Sequence, residues 1–383
     1  MRASKNEKRI QRTATLFCVV LFVVFSYTFL AVYQAPLLEI FYDRVANGKL
    51  QYNAHIVAGI ITALLTLLTL WLNRMAGFKR EWTAVAYLPS CIILAFITDI
   101  DRTLYTGGFS YLAWSIIFAV AILFYLFMAF ILHRVLFAQI KNLDMEGSRI
   151  MWRNMLLLTL LFFLTGTLSS AEEDIKNEAM AYKYYKRGNI DKALKVGRNA
   201  ASASRELTSS RAYYLALNGE LGERLFAYPQ YYGSEALLPS FTQTTPLSPD
   251  TVYSQFDIER RATDTTIEFL ARAASADSVS RNVADYYLSA LLLEKRLDEF
   301  MGTLPRYYNV EEADALPKNY KEAILLYNDI AADSTIVVTD EELVKRYTEM
   351  RAVESEYPDI LVRSNIVHSR YGKSYWYYYN YGH

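Results

Sequence analysis

Cysteine is almost absent. The chain of 383 residues has two, Cys18 and Cys91, both inside apolar runs. Beyond residue 170 there is none, so no disulfide can staple that half in any compartment, and its fold must rest on burial. Histidine is as scarce: His55, His133, His368 and His383 form no His-x-x-x-His pair, and no zinc set emerges with both cysteines in apolar runs. The chain lacks an Asn-x-Ser/Thr sequon, a phosphate-binding glycine loop and a Gly-x-Ser-x-Gly elbow. An excess of one charge is also missing. Lys and Arg total 40 and Asp and Glu total 40, which removes the basic field that nucleic-acid binding needs. Acidic pairs such as Glu172/Glu173, Glu311/Glu312 and Glu341/Glu342 fall near expected helix starts, where the helix dipole favours them. These absences lead to an expectation of no enzyme activity, no catalytic residue, no cofactor, no metal and no nucleic-acid partner.

What is present is lopsided. Five apolar segments fill the first part: Ala14–Tyr33, Ile56–Leu72, Trp82–Thr98, Tyr111–Leu132 and Ile150–Leu168. A helix needs about 20 apolar residues to cross a bilayer, and the backbone in lipid must satisfy its own hydrogen bonds. The expectation is a five-span membrane domain over residues 1–170, with Pro89 kinking the third span and Arg153 snorkelling from the fifth. Basic residues set the orientation. Twelve lie before the first span and in the loops after the second and fourth: Arg2, Lys5, Lys8, Arg9 and Arg12; Arg74, Lys79 and Arg80; Arg134, Lys141, Arg149 and Arg153. The alternate loops hold three, Arg44, Lys49 and Arg102. The positive-inside rule then puts the N-terminus in the cytoplasm and residues 171–383 outside it. Aromatic belts agree, with Trp71, Trp82 and Trp152 near the inner ends and Tyr33, Tyr111 and Trp114 near the outer ends. The first apolar run is too long for a signal-peptide core. The spans carry almost no ionisable residue, which speaks against transport. Asp99 and Asp101 read as interfacial charges, or alternatively as an outer cation site.

Residues 171–383 show apolar positions at helical spacing, so the fold class expected is all-α: a membrane helix bundle followed by a soluble helical-hairpin domain. The first hairpin has Ala181 and Tyr184 before Gly188, and Ala193 and Ala200 after it. Small alanines allow close helix approach, Tyr184 wedges between the helices, and Gly188 suits a left-handed cap. This pattern resembles a tetratricopeptide repeat, although Gly197 stands where that repeat has an aromatic residue. A second unit centres on Ala212 and Gly219, a third runs from Ala284 to Phe300, and a partial fourth spans Tyr320–Tyr327. A polar stretch from Pro229 to Asp250 interrupts them. Stacks of this kind expose a concave face on which a peptide or partner helix docks.

The run from Arg211 to Gln230 with Leu237-Leu-Pro239, and the ending from Tyr371 to Tyr381, resemble motifs of an uncharacterised family of bacterial membrane proteins with a tetratricopeptide-like tail. That resemblance implies a multi-pass protein of the bacterial cytoplasmic (inner) membrane and carries no activity. The ending holds five consecutive aromatics, Tyr375, Trp376, Tyr377, Tyr378 and Tyr379. They could cap the last helices, lie at a membrane interface, or stack on a sugar. The function expected is a membrane-anchored scaffold with the lipid bilayer and an extracytoplasmic protein as partners. The alternative is an accessory carbohydrate-handling or envelope-enzyme module, and a transporter component is the third reading.

Overall fold

A computed structural model describes residues 2–45, 52–76, 80–100, 111–131, 147–169, 173–198, 203–241, 246–276, 279–331 and 336–382. Among these residues every regular element is helical. The chain divides into two compact units, Met1–Ala179 and Met180–His383.

The first unit contains α1 (Arg2–Thr28), which runs into a π turn at Phe29–Tyr33, then α2 (Ala35–Val45), α3 (Ala54–Ala76), α4 (Leu88–Thr98), α5 (Tyr111–Ile131) and α6 (Gly147–Leu168). Three helical stretches are long and apolar enough to cross a membrane: Arg12–Tyr33, Ala54–Met75 and Arg149–Leu168. Trp82–Thr98 and Ala113–Met128 are apolar but shorter. Leucines and phenylalanines such as Leu67, Phe127 and Phe163 are more exposed than buried, an arrangement stable in lipid rather than in water.

The third apolar segment departs from expectation. It is not one helix kinked at Pro89. A 3-10 stretch covers Arg80–Tyr87, and α4 starts at Leu88 with Pro89 in its first turn. Proline fits there because first-turn N–H groups have no helical acceptor. The tight stretch leaves the Ala84 N–H to be satisfied elsewhere, and the Asn154 Oδ1 of α6 accepts it at 2.8 Å. Asn154 in turn donates from Nδ2 to the Ile150 carbonyl at 2.9 Å. A buried Thr69–Ser90 hydroxyl pair at 2.7 Å joins α3 to α4. Trp114, expected in an aromatic belt, is buried instead. Its Nε1 donates to Asp99 Oδ2 at 2.7 Å and its ring lies edge-on to Phe96. Asp99 therefore serves this packing, while Asp101, Arg102, His133 and Arg134 lie outside the described residues. Arg153 rests over the Trp82 ring at 5.9 Å.

The second unit repeats one turn three times. Helix α7 (Glu173–Lys186), α8 (Ile190–Lys195), α9 (Arg205–Leu217) and α10 (Leu221–Arg224) form two hairpins. After α11 (Pro249–Tyr253) and α12 (Thr266–Ala274), α13 (Arg281–Leu293) and α14 (Leu297–Thr303) form a third. At each first-helix end the left-handed residue is Gly188, Gly219 or Lys295. Each donates its N–H three residues back, and the next residue donates five back: Asn189 to Tyr184 at 2.9 Å, Glu220 to Leu215 at 2.8 Å, Arg296 to Leu291 at 2.9 Å. This pair of bonds is a Schellman motif, which closes the exposed carbonyls of the helix end. Among the described residues from Pro229 to Asp250 there is no α-helix until Pro249, yet Leu237, Leu238 and Leu247 are buried in the core. The capping box of Thr265 and Glu268 then opens α12. The chain ends with α15 (Lys318–Ala331), α16 (Glu341–Glu356), α17 (Ile360–Tyr371) and α18 (Tyr375–Tyr381). One apolar cluster runs continuously from Ala181 to Tyr378.

Helix α10 approaches α15 closely at Gly222, where a Cβ would stand 2.6 Å from Cζ of Tyr320, a fully buried ring. Gly222→Ala is expected to lower stability by about 1–3 kcal/mol in denaturant titrations, because the ring has no room to yield. Asn154→Leu, which orphans the Ala84 N–H, is expected to cost about 1–3 kcal/mol and to show as a lower melting temperature in detergent.

Candidate functional site: a cationic cleft beside the last helix

Helix α18 is drawn into the core by a buried carboxylate. Within α15, Glu322 is 1% exposed. Its Oε2 accepts the Tyr375 N–H at 2.7 Å, and its backbone carbonyl accepts the Trp376 indole N–H at 2.7 Å. Lys318 stands 3.5 Å away on the same helix. Ser374 caps α18 by accepting the Tyr377 N–H. Tyr375 and Tyr378 both pack their rings 5.0 Å from Phe226, and Trp376 packs 5.0 Å from Tyr347. The Tyr378 hydroxyl donates to the Leu293 carbonyl at 2.8 Å, and Lys295 Nζ donates to the Gly382 carbonyl at 2.9 Å. The C-terminal helix thus seals hairpin three.

Between this helix and residues 226–231 opens a cleft of about 860 Å³. That is within the size range of ligand sites. The cations on its walls are Arg198, Arg346, Arg370 and Lys373, with His368 beside them, and among the described residues no acidic side chain lines it. Tyrosines line it as well, among them Tyr228, Tyr231, Tyr377 and Tyr381. Three arginines converge on Tyr228. The Arg198 and Arg211 guanidiniums lie 5.8 Å and 5.3 Å from its ring centre, and Arg224 Nη2 donates to its hydroxyl at 3.3 Å. Glu220 balances only Arg224, at 2.6 Å. Arg211 is 2% exposed and donates to the Val196 carbonyl, but its Nε and Nη1 have no hydrogen-bond partner, nor has Nε of Arg198. Burial pulls the Arg211 guanidinium down to about 10, with the neighbouring Tyr228 opposing that shift, so it stays charged at neutral pH. A separate buried group, Asp285, accepts hydrogen bonds from the Tyr308 and Tyr320 hydroxyls and is raised by desolvation, which those bonds only partly offset. It ties α13 to α15.

The residues singled out from sequence fall into distinct places. Ala181, Ala193 and Ala212 are buried in the core, and Tyr184 is half-buried against it. Gly188 and Gly219 hold left-handed turns. Ala200 lies outside the described residues. Tyr375, Trp376 and Tyr378 are buried, while Tyr377 and Tyr379 are half-buried. Sequence reasoning gave no role to Glu322, Arg211, Tyr228 or Arg346. Glu322 had a readable signal: it shares a helix face with Asn319 and Leu326, both buried. The arginines gave none, because Arg198, Arg211 and Arg346 come together only through tertiary packing. Among the described residues no group of three His, Cys, Asp or Glu side chains could hold a metal ion.

The protein is therefore an all-α chain that pairs helices suited to a membrane with a helical-hairpin unit bearing a cationic cleft. Residues 250–382 match a family of unknown function, DUF6057. That similarity takes in α15 to α18, and so the Glu322 clasp and one cleft wall. No curated protein and no solved structure matches the chain.

Desolvation raises the Glu322 carboxyl to about 7 against an ordinary value of 4.5, with Lys318 opposing the shift. A carboxyl that binds its proton more tightly when folded stabilises the fold below about 4.5, and that contribution is lost as pH rises through about 7. The loss is on the order of 3 kcal/mol. Glu322→Gln keeps the shape without the proton, and its denaturant midpoint is expected to vary less with pH across this window than that of the unaltered protein.

Proposed function

We propose that the protein is a membrane-anchored partner-binding protein of the bacterial cytoplasmic membrane. Five spans anchor it, with Trp82–Thr98 and Ala113–Met128 lengthened by flanking residues, and with the N-terminus in the cytoplasm. The second unit is a degenerate tetratricopeptide-like stack outside the cytoplasm, and it works by binding rather than by catalysis. The observation that carries this reading is the cleft beside α18, whose described lining holds Arg198, Arg346, Arg370 and Lys373 and no acidic side chain. Such a field recruits an anionic partner and discourages a cationic one. The repeated Schellman turns support the hairpin stack, and the twelve-to-three distribution of basic residues supports the orientation. Tyrosines along the cleft give a second reading, an accessory module that handles carbohydrate, some support.

Two measurements test this. A green fluorescent protein fused after the last residue is expected to be dark and an alkaline phosphatase fusion active; a bright fluorescent fusion would overturn the orientation. A photo-crosslinking amino acid at Tyr231, half-exposed in the cleft wall, is expected to trap a protein in native membranes, whereas one at the exposed Val337 is not. Adducts with glycan alone at Tyr231 would favour the carbohydrate module.

A further inference from the structure

We infer that the cleft between residues 226–231 and α18 is a carboxylate-reading groove that seats an acidic peptide segment of a partner protein. This rests on the partner-binding reading above and names the chemistry of its ligand. The argument begins with which groups are free. Sugar recognition needs several open aromatic faces, and here Tyr231 is half-exposed while the neighbouring rings are engaged. Tyr377 stacks on Tyr381 at 5.5 Å and meets the His368 ring at 5.0 Å. Tyr378 is 6% exposed, pressed against Phe226. Tyr228 is 4% exposed and occupied by arginines. The Tyr381 hydroxyl is also committed, donating to Glu354 at 2.8 Å.

The cations are differently placed. Arg370 and Lys373 are exposed, and Arg346 is half-buried. Arg346 acts electrostatically on Glu322, which is 1% exposed and is not among the residues lining the cleft. Around Tyr228 the positive charge is concentrated: Arg198, Arg211 and Arg224 converge there, and Glu220 and Asp191 both act on Arg224. Arg211 cannot touch a ligand, being 2% exposed, and its Nε and Nη1 have no hydrogen-bond partner among the described residues. A buried cation without a counter-charge is costly, and an anion arriving at Arg198 lowers that cost. The cations stand on both walls of a half-open groove, on the turn after α8, on α16 and at the end of α17. A chain with several carboxylates at intervals can reach them together, whereas one small anion reaches a single pair. Guanidiniums suit this task because their forked donors pair with carboxylates in a bidentate way.

The test uses the full-length protein in detergent and fluorescence anisotropy with a labelled hexaglutamate peptide, a labelled hexaserine peptide and a labelled oligogalacturonate. Hexaglutamate is expected to bind, hexaserine not, and the binding to weaken as salt is raised. The double variant Arg370→Glu/Lys373→Glu changes only exposed side chains and should fold. It is expected to weaken hexaglutamate by about tenfold or more, while Arg261→Glu, an exposed arginine outside the cleft, leaves it unchanged. Hexaglutamate bound no better than hexaserine, or bound equally by the double variant, overturns the inference. Tighter binding of oligogalacturonate than of hexaglutamate overturns it in favour of an acidic glycan. If the peptide fails here while crosslinking at Tyr231 still traps a protein, the partner-binding reading stands and only the carboxylate chemistry is wrong.

Discussion

Glu322 sits where no water reaches it, and the last helix of the chain is built onto it. Moving a carboxylate out of water is unfavourable unless hydrogen bonds replace the solvent. Here the Tyr375 N–H and the Lys318 ammonium replace it, while the same residue's carbonyl takes the Trp376 indole. The Tyr375 N–H lies in the first turn of α18, where backbone donors lack helical acceptors. One side chain therefore solves two problems: it satisfies an orphan helix end and fixes where the aromatic helix stands. The cleft depends on that placement, because Tyr377, Tyr378 and Tyr381 form part of its wall. Without the clasp the wall would have no fixed position relative to residues 226–231.

The three hairpins share one turn but not one residue. Gly188 and Gly219 enter the left-handed region without steric penalty, whereas Lys295 does so with a side chain. That conformation costs roughly 1 kcal/mol or more for a non-glycine residue. The Lys295 side chain compensates by reaching across to the Gly382 carbonyl and toward the rings of Tyr378 and Tyr379, at 5.7 Å and 5.9 Å. Desolvation lowers its affinity for a proton, consistent with a lysine tucked against the chain end. A glycine would make the turn more easily but lose the link between hairpin three and the last helix. Turn and terminus are thus coupled through a single residue.

Polar side chains also organise the first unit, where apolar packing alone gives weak specificity among lipid-facing helices. Asn154 holds the irregular stretch before α4, and the Thr69–Ser90 pair sets the approach of α3 to α4. Trp114 is turned inward by its bond to Asp99. Each of these contacts joins segments distant in the chain, and none involves a charged group at mid-helix.

The all-α class, the apolar first part and the turns at Gly188 and Gly219 were legible in the amino-acid order, whereas the third turn, at Lys295, was not. Hydropathy and helical spacing are local properties, and glycine at 188 and 219 announces a left-handed cap by its lack of a Cβ. The aromatics at 375, 376 and 378 stood out too, with capping of the last helices among the readings they offered, whereas the place of Tyr378 in a cleft wall did not. The 3-10 stretch before Pro89 was not readable, because the partner that permits it, Asn154, lies on another helix. Nor was the cleft. Arg198, Arg211, Arg346 and Arg370 are unremarkable along the chain, since charged residues on helices are normally solvated. Only folding brings Arg198 and Arg211 to Tyr228 and gathers Arg198, Arg346 and Arg370 on one cleft beside α18. Composition decides which residues leave water, and tertiary packing decides which of the remaining charges must face one another.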